Sequence, residues 1–162
     1  MEAKHEGEVT AVSFSPDGVQ IICGTINGAL GHVDMQNERY RTILRSHSDE
    51  IVAADYNRLR NHVITVSRDK MIRIWDLDQN FSKTYEFLSI NDQALCVSSH
   101  PSLALFACGF ESGKLRIFDI DKTCVGEVFN MFNVPITQVE YTSDSRLLLA
   151  CSKDGFISIH NA

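Results

Sequence analysis

Three regularities predict an all-β fold of about four similar blades, each a four-stranded antiparallel sheet, with the last blade incomplete. First, the segments "VTAVSFSPDG" (9–18), "IVAADYN" (51–57), "ALCVSSHP" (94–101) and "ITQVEYTSDS" (136–145) begin 42, 43 and 42 residues apart. Second, each is followed by another alternating run that stops at a tight turn: Ile26-Asn27-Gly28, Arg68-Asp69-Lys70, Glu111-Ser112-Gly113 or Lys153-Asp154-Gly155. Asn-Gly and Asp-Gly in that setting are strong hairpin signals. Third, each turn leads into a further alternating strand, "ALGHVDM" (29–35), "MIRIWDL" (71–77), "KLRIFDI" (114–120) and "FISIHNA" (156–162). A period of about 40 to 45 residues built from short strands and turns is the signature of propeller blades.

The blades follow in order. In the first, 5–46, a strand from Val9 reaches the turn Ser15-Pro16-Asp17-Gly18, where proline presets the first bend and glycine accepts a positive φ. The second, 47–90, replaces that turn with "NRLRNH" (57–62) and ends its third strand on Trp75-Asp76, which holds the only tryptophan. The third, 91–132, repeats the pattern with His100-Pro101 at the turn. The fourth, 133–162, reaches Asn161-Ala162 just after its third strand, so fifteen strands are expected rather than sixteen. A four-bladed arc leaves two apolar blade faces uncovered, and such faces invite association. The chain is therefore expected to be a piece of a longer repeat protein, or to pair with a second copy into an eight-bladed ring.

Composition narrows the function classes. With 162 residues and 44% apolar side chains the chain can bury one ordinary core. Apolar runs such as 147–151 are far shorter than the roughly 20 residues of a membrane-spanning helix, and a soluble, cytoplasmic protein without a membrane role is expected. Net charge is −6, which disfavours nucleic acid as a partner. The charge is uneven: residues 39–83 carry nine Lys/Arg against six Asp/Glu, and the rest of the chain six against fifteen. Five cysteines without a CxxC pair, and six histidines in different blades or at opposite strand ends, suggest neither metal nor cofactor.

Several motifs resemble the WD40 repeat family: His47, the Ser67-x-Asp69 turn, Trp75-Asp76 and Ser15-Pro16-Asp17-Gly18. The resemblance implies a side-chain network of His47, Ser67, Asp69 and Trp75, in which carboxylate, imidazole, hydroxyl and indole satisfy one another between blades. Only the second blade has the full set; the corresponding residues are His5, Thr25, Asn27 and Val33 in the first, Ile90, Phe110, Ser112 and Phe118 in the third, and Phe132, Ser152, Asp154 and His160 in the fourth. No catalytic residue is assigned. His, Ser and Asp could suggest a triad, but no nucleophile elbow or oxyanion motif accompanies them.

The resemblance further implies a non-enzymatic scaffold for protein partners. One candidate partner surface is basic: Arg39, Arg41 and Arg45 near the outer strand of the first blade, with Arg58, Arg60 and His62 in the "NRLRNH" turn. An acidic partner such as tubulin in the microtubule wall would suit it. The alternative is the end face around Arg68, Glu111 and Lys153, where a substrate receptor of a ubiquitin ligase would hold a peptide. The runs "GTINGALGHVDMQNERYRTILRSHSDEI" (24–51), "TVSRDKMIRIWDL" (65–77) and "CVSSHPSLALFACGFESGKLRIF" (96–118) resemble the large centriolar and ciliary WD-repeat proteins whose propellers follow a microtubule-associated N-terminal domain. That resemblance implies a structural role in centrioles, basal bodies or cilia, with microtubules or other centriolar or ciliary proteins as partners and a cytoskeletal location.

Overall fold

The computed structural model describes residues 4–5, 7–43, 46–88 and 92–162. Among them fifteen strands and no helix occur. The first sheet holds β1 (Val9–Phe14), β2 (Gln20–Thr25), β3 (Leu30–Asp34) and β4 (Arg39–Ile43). The second holds β5 (Ile51–Asn57), β6 (His62–Ser67), β7 (Met71–Asp76) and β8 (Ser82–Leu88). The third holds β9 (Ala94–Ser99), β10 (Leu105–Phe110), β11 (Lys114–Asp119) and β12 (Cys124–Asn130). The fourth has three strands, β13 (Ile136–Tyr141), β14 (Leu147–Ser152) and β15 (Ile157–Asn161). Every sheet is an antiparallel meander in chain order, and each innermost strand enters through a register shift, as at Ile51/Ala53 and Ile136/Gln138.

Alternation along the strands sends successive side chains to opposite blade faces, so the core lies between blades. Ile22 and Leu30 of the first blade meet Ile51, Val63, Trp75 and Phe81 of the second. Ile64, Val66, Ile72 and Ile74 meet Phe106, Phe110, Phe118 and Ile120 of the third. Cys96, Ala107 and Leu115 meet Ile136, Val139, Tyr141, Leu148 and Ala150 of the fourth. Where the first strand of one blade crosses the second strand of the blade before it, residue sizes complement each other. A Cβ on Gly24 would come within 2.5 Å of Ile51, and one on Gly109 within 2.4 Å of Ile136. At the middle junction the sizes invert, with Val66 and Ala94 in those places.

The outermost blade faces carry exposed apolar side chains. Val12 and Phe14, in the register that Val139 and Tyr141 fill in the fourth blade, are 54% and 61% exposed. Ile157 and Ile159, in the register of Leu115 and Ile117, are 67% and 62% exposed.

Candidate functional site

The second blade holds a closed polar chain. Strand β5 and the residues before it bring His47 beside the Asp69 turn, and its Nδ1 donates to Asp69 Oδ2 at 2.9 Å. The Thr65 hydroxyl donates to His47 Nε2 at 2.7 Å and accepts the Trp75 indole N–H at 2.9 Å. The hydroxyl comes from Thr65, not from Ser67 as the sequence suggested. Both lie on one face of β6, two residues apart, but Ser67 sits at the strand end and works in the turn. It donates to the Asp49 carbonyl at 3.0 Å and accepts the Asp69 amide at 3.1 Å. Asp69 also takes the Met71 and Ser48 amides. Burial raises the Asp69 carboxyl, but His47 and those amides outweigh it and hold it below the usual range. Burial lowers His47 despite the pull of Asp69. The two shifts disagree, because the pull of His47 on Asp69 requires an imidazolium. The neutral ring is the better description, since it has no exposed surface and needs one donor and one acceptor. With both ring nitrogens occupied inside the blade, the group is structural.

Counterparts elsewhere are apolar or rebuilt. Register places Cys23, Cys108 and Ala150 where Thr65 stands, and Val33, Phe118 and His160 where Trp75 stands. In the third blade Asp92 substitutes, accepting the Ser112 hydroxyl and Arg116 Nη2, both at 2.8 Å. In the first, His5 lies over Gly31 and bonds the Tyr40 hydroxyl through Nδ1 at 2.7 Å. Ile90 lies outside the described residues.

At the end of the blades that carries "NRLRNH", four unlike side chains cap equivalent turns. Ser15 accepts the Gln20 amide at 2.8 Å, Asn57 Oδ1 the Arg60 amide at 3.2 Å, His100 Nδ1 the Leu103 amide at 3.1 Å, and Thr142 the Leu147 amide at 3.0 Å. Asn57, wholly buried, also donates to the Leu103 carbonyl of the next blade at 3.1 Å. Sequence reading passed over it, although its register with Ser15 and Thr142 marked it.

The proposed basic surface is partly spent on holding blades together. Arg60 makes a two-pronged pair with Asp121 of the third blade, at 2.9 and 2.6 Å. Arg41 donates to Asn80 Oδ1 of the second blade. His62 is half-buried, 3.8 Å from Asp76, with Nδ1 buried and unpartnered. Arg58 is exposed near Asp17, a carboxyl held low by the Ser15 hydroxyl and the Val19 amide, with Arg58 adding to the effect. Arg39 is exposed beside its cross-strand partner Asp34. Arg45 lies outside the described residues. Arg41 and Arg60 are exposed too, but their guanidinium groups are tied to the second and third blades, which leaves Arg39 and Arg58 as the described arginines of this set that no side-chain hydrogen bond ties to another blade.

At the opposite end, the amides of Arg68, Glu111 and Lys153 occupy equivalent positions and bond the carbonyls of Glu50, Gln93 and Pro135 at 2.9, 2.8 and 2.9 Å. The Arg68 side chain is engaged by Glu50; Glu111 and Lys153 are exposed.

The family profile described as "WD domain, G-beta repeat" matches residues 3–30, 38–76 and 123–161. This chain belongs to the WD40 repeat family. It is 33% identical over 161 residues to WD repeat-containing protein 90 of Xenopus tropicalis, which covers 99% of this chain and 9% of that protein. It is 36% identical over 155 residues to the Mus musculus protein of the same name, covering 96% and 8%. The chain therefore spans less than a tenth of these relatives. Among solved structures, the WD40 repeats of RRP9 superpose with a TM-score of 0.87 at 14% identity, over 97% of this chain and 49% of that one.

Imidazoles that are partly or wholly buried make the stability of this WD40 chain depend on pH. Burial lowers His5, His32, His47, His62 and His100. The unfolded chain then takes up protons near the ordinary value of 6.5 that the folded chain takes up only at lower pH. Stability is fully present above pH 6.5 and is lost as pH falls towards the folded values. Asp55, raised by burial, works in the opposite sense. The melting midpoint is expected to hold level above pH 7 and to fall by about 5 °C or more between pH 6.5 and 5. A level midpoint over that interval contradicts the assignment of neutral, partly or wholly buried imidazoles.

Proposed function

We propose that this chain is a segment of a non-enzymatic WD40 scaffold that serves as a structural component of centrioles, basal bodies or cilia and meets the microtubule wall or its associated proteins. The observation that carries the reading is the likeness to WD repeat-containing protein 90 over nearly the whole chain, together with a polar network closed to substrate. The resemblance of residues 24–51, 65–77 and 96–118 to the large centriolar and ciliary WD-repeat proteins supports the location. Cytoskeletal attachment would use the rim that bears Arg39 and Arg58. The ubiquitin-ligase reading needs a charged peptide seat at the other end face, where Arg68 is already engaged by Glu50.

Co-pelleting with stabilised microtubules tests the contact. The suitable variant is Arg39→Glu/Arg58→Glu, because changing Arg60 would also break the tie to Asp121. Wild type is expected to pellet at low salt and to be released as salt rises past the point where the screening length falls to about 8 Å. The double variant should remain in the supernatant, with a melting midpoint lower by no more than about 4 °C, since the introduced carboxylates would face Asp34 across the strand pair and stand near Asp17. Equal pelleting of both proteins, or none by wild type at low salt, removes this rim as a tubulin contact.

A further inference from the structure

The third blade has a neighbour on each face, so its free border is the outer strand β12, which ends the sheet. Its residues 124–130 read "CVGEVFN", with neither lysine, arginine nor proline. A register shift between Arg116 and Phe118 lets Val125 pair with Phe118 and Val128 with Arg116, and paired residues share a face. Both valines therefore stand on the side towards the second blade, 44% and 49% exposed. The same two positions of β8 hold Lys83 and Glu86, an ion pair of 2.7 Å that also engages Arg73. Those of β4 hold Tyr40 and Thr42, whose hydroxyls bond at 2.7 Å. Two outer strands thus carry a polar pair where the third carries valines. Apolar surface continues beside them: Phe118 meets Phe87 at 5.0 Å, and Phe87 meets the exposed Tyr85 at 4.8 Å. Among the described residues no backbone–backbone hydrogen bond reaches 124–130 from outside the sheet.

We propose that β12 is a strand-pairing site for an extended segment of a partner polypeptide, apolar on the side that meets Val125 and Val128 and basic opposite Glu127. An edge strand presents alternate unpaired N–H and C=O groups, which an added strand satisfies. Charged side chains are a usual guard against such pairing, and β12 has one, the exposed Glu127. That carboxylate selects the occupant. A lysine or arginine across the new pair offsets it, whereas a second copy of this chain, paired two-fold about the strand centre, would bring two like charges together. A seven-residue edge also falls short of the roughly 1,200–2,000 Å² that a stable interface between folded proteins buries. This assignment rests on reading the chain as a protein-binding scaffold, but it uses another blade than Arg39 and Arg58 and its test involves no microtubules, so either can fail alone.

The probe is a short peptide of alternating valine and threonine with a central lysine, blocked at both ends and titrated into this chain under amide NMR. Saturable shifts are expected at the amides of Val125 to Asn130, with none along β4 or β8, and with affinity of about 0.1–1 mM. Amide hydrogen exchange along β12 should slow at saturation. The same peptide methylated on every backbone nitrogen has no donors for the ladder and should not bind. A peptide with glutamate in place of the lysine should bind about two- to fivefold more weakly. Val125→Lys/Val128→Glu, which copies the second blade's ion pair at two exposed positions, should weaken binding by about tenfold or more and leave the melting midpoint within about 4 °C of wild type. Absent or unsaturable shifts, equal binding of the methylated or the glutamate peptide, or undiminished binding to the variant overturns the proposal. Shifts at β12 that grow with the concentration of the chain alone overturn it as well, since a second copy is then the occupant.

Discussion

Asp69→Ala is expected to lower the stability of the second blade by about 3 kcal/mol, because it leaves buried hydrogen-bond donors without an acceptor. For a chain of this size that corresponds to a fall in melting midpoint of roughly 6–12 °C. The carboxylate accepts His47 Nδ1 at 2.9 Å and the Met71 and Ser48 amides at 2.9 and 3.1 Å, and it is 5% exposed. Alanine leaves all three donors without an acceptor, and the turn that delivers β7 loses its internal support. Arg60→Ala is the contrasting case. Its pair with Asp121 is about half exposed on both sides, and its loss should cost no more than about 1 kcal/mol. Thermal unfolding of the two variants decides the matter, and equal midpoints for Asp69→Ala and wild type would mean that the network contributes nothing.

Phe106→Ala carries a comparable or larger penalty, about 3–5 kcal/mol. Its ring is fully buried, stacks on Phe118 and meets the edge of Phe87 from the adjacent blade. Because each blade contacts only its neighbours, the loss falls on one junction. The chain should then separate into two blade pairs that unfold in distinct steps. Val12→Ala, at a position 54% exposed on the first blade's outer face, should shift a denaturation curve by about 0.5 kcal/mol or less. A single undisplaced transition for Phe106→Ala would show that the blades are not coupled through this ring.

The residues legible in advance were those whose role is local. His47, Asp69 and Trp75 stand within thirty residues of one another, and Asp69 announces its turn by type and place. Ser67 and Thr65 could not be told apart in that way. They share a face of β6, and alternation names the face without saying which hydroxyl lies at the depth of the imidazole. The arginines of "NRLRNH" show the same limit more plainly. The local surplus of positive charge is visible in the chain, but Asp121, which takes up Arg60, lies 61 residues away. Asn57 likewise spends its amide on a carbonyl 46 residues distant.

By itself the sequence determined the blade period, the strand and turn positions, and the face each apolar residue takes, because these follow from backbone preference and the two-residue repeat of a pleated strand. Only the tertiary structure decided which hydroxyl completes the network, that Gly24 and Gly109 make room for Ile51 and Ile136, and which arginines tie blades together. Those outcomes depend on how far one twisted sheet rotates against the next. That rotation is set by the fit of many side chains more than forty residues apart, and no local run of the chain encodes it.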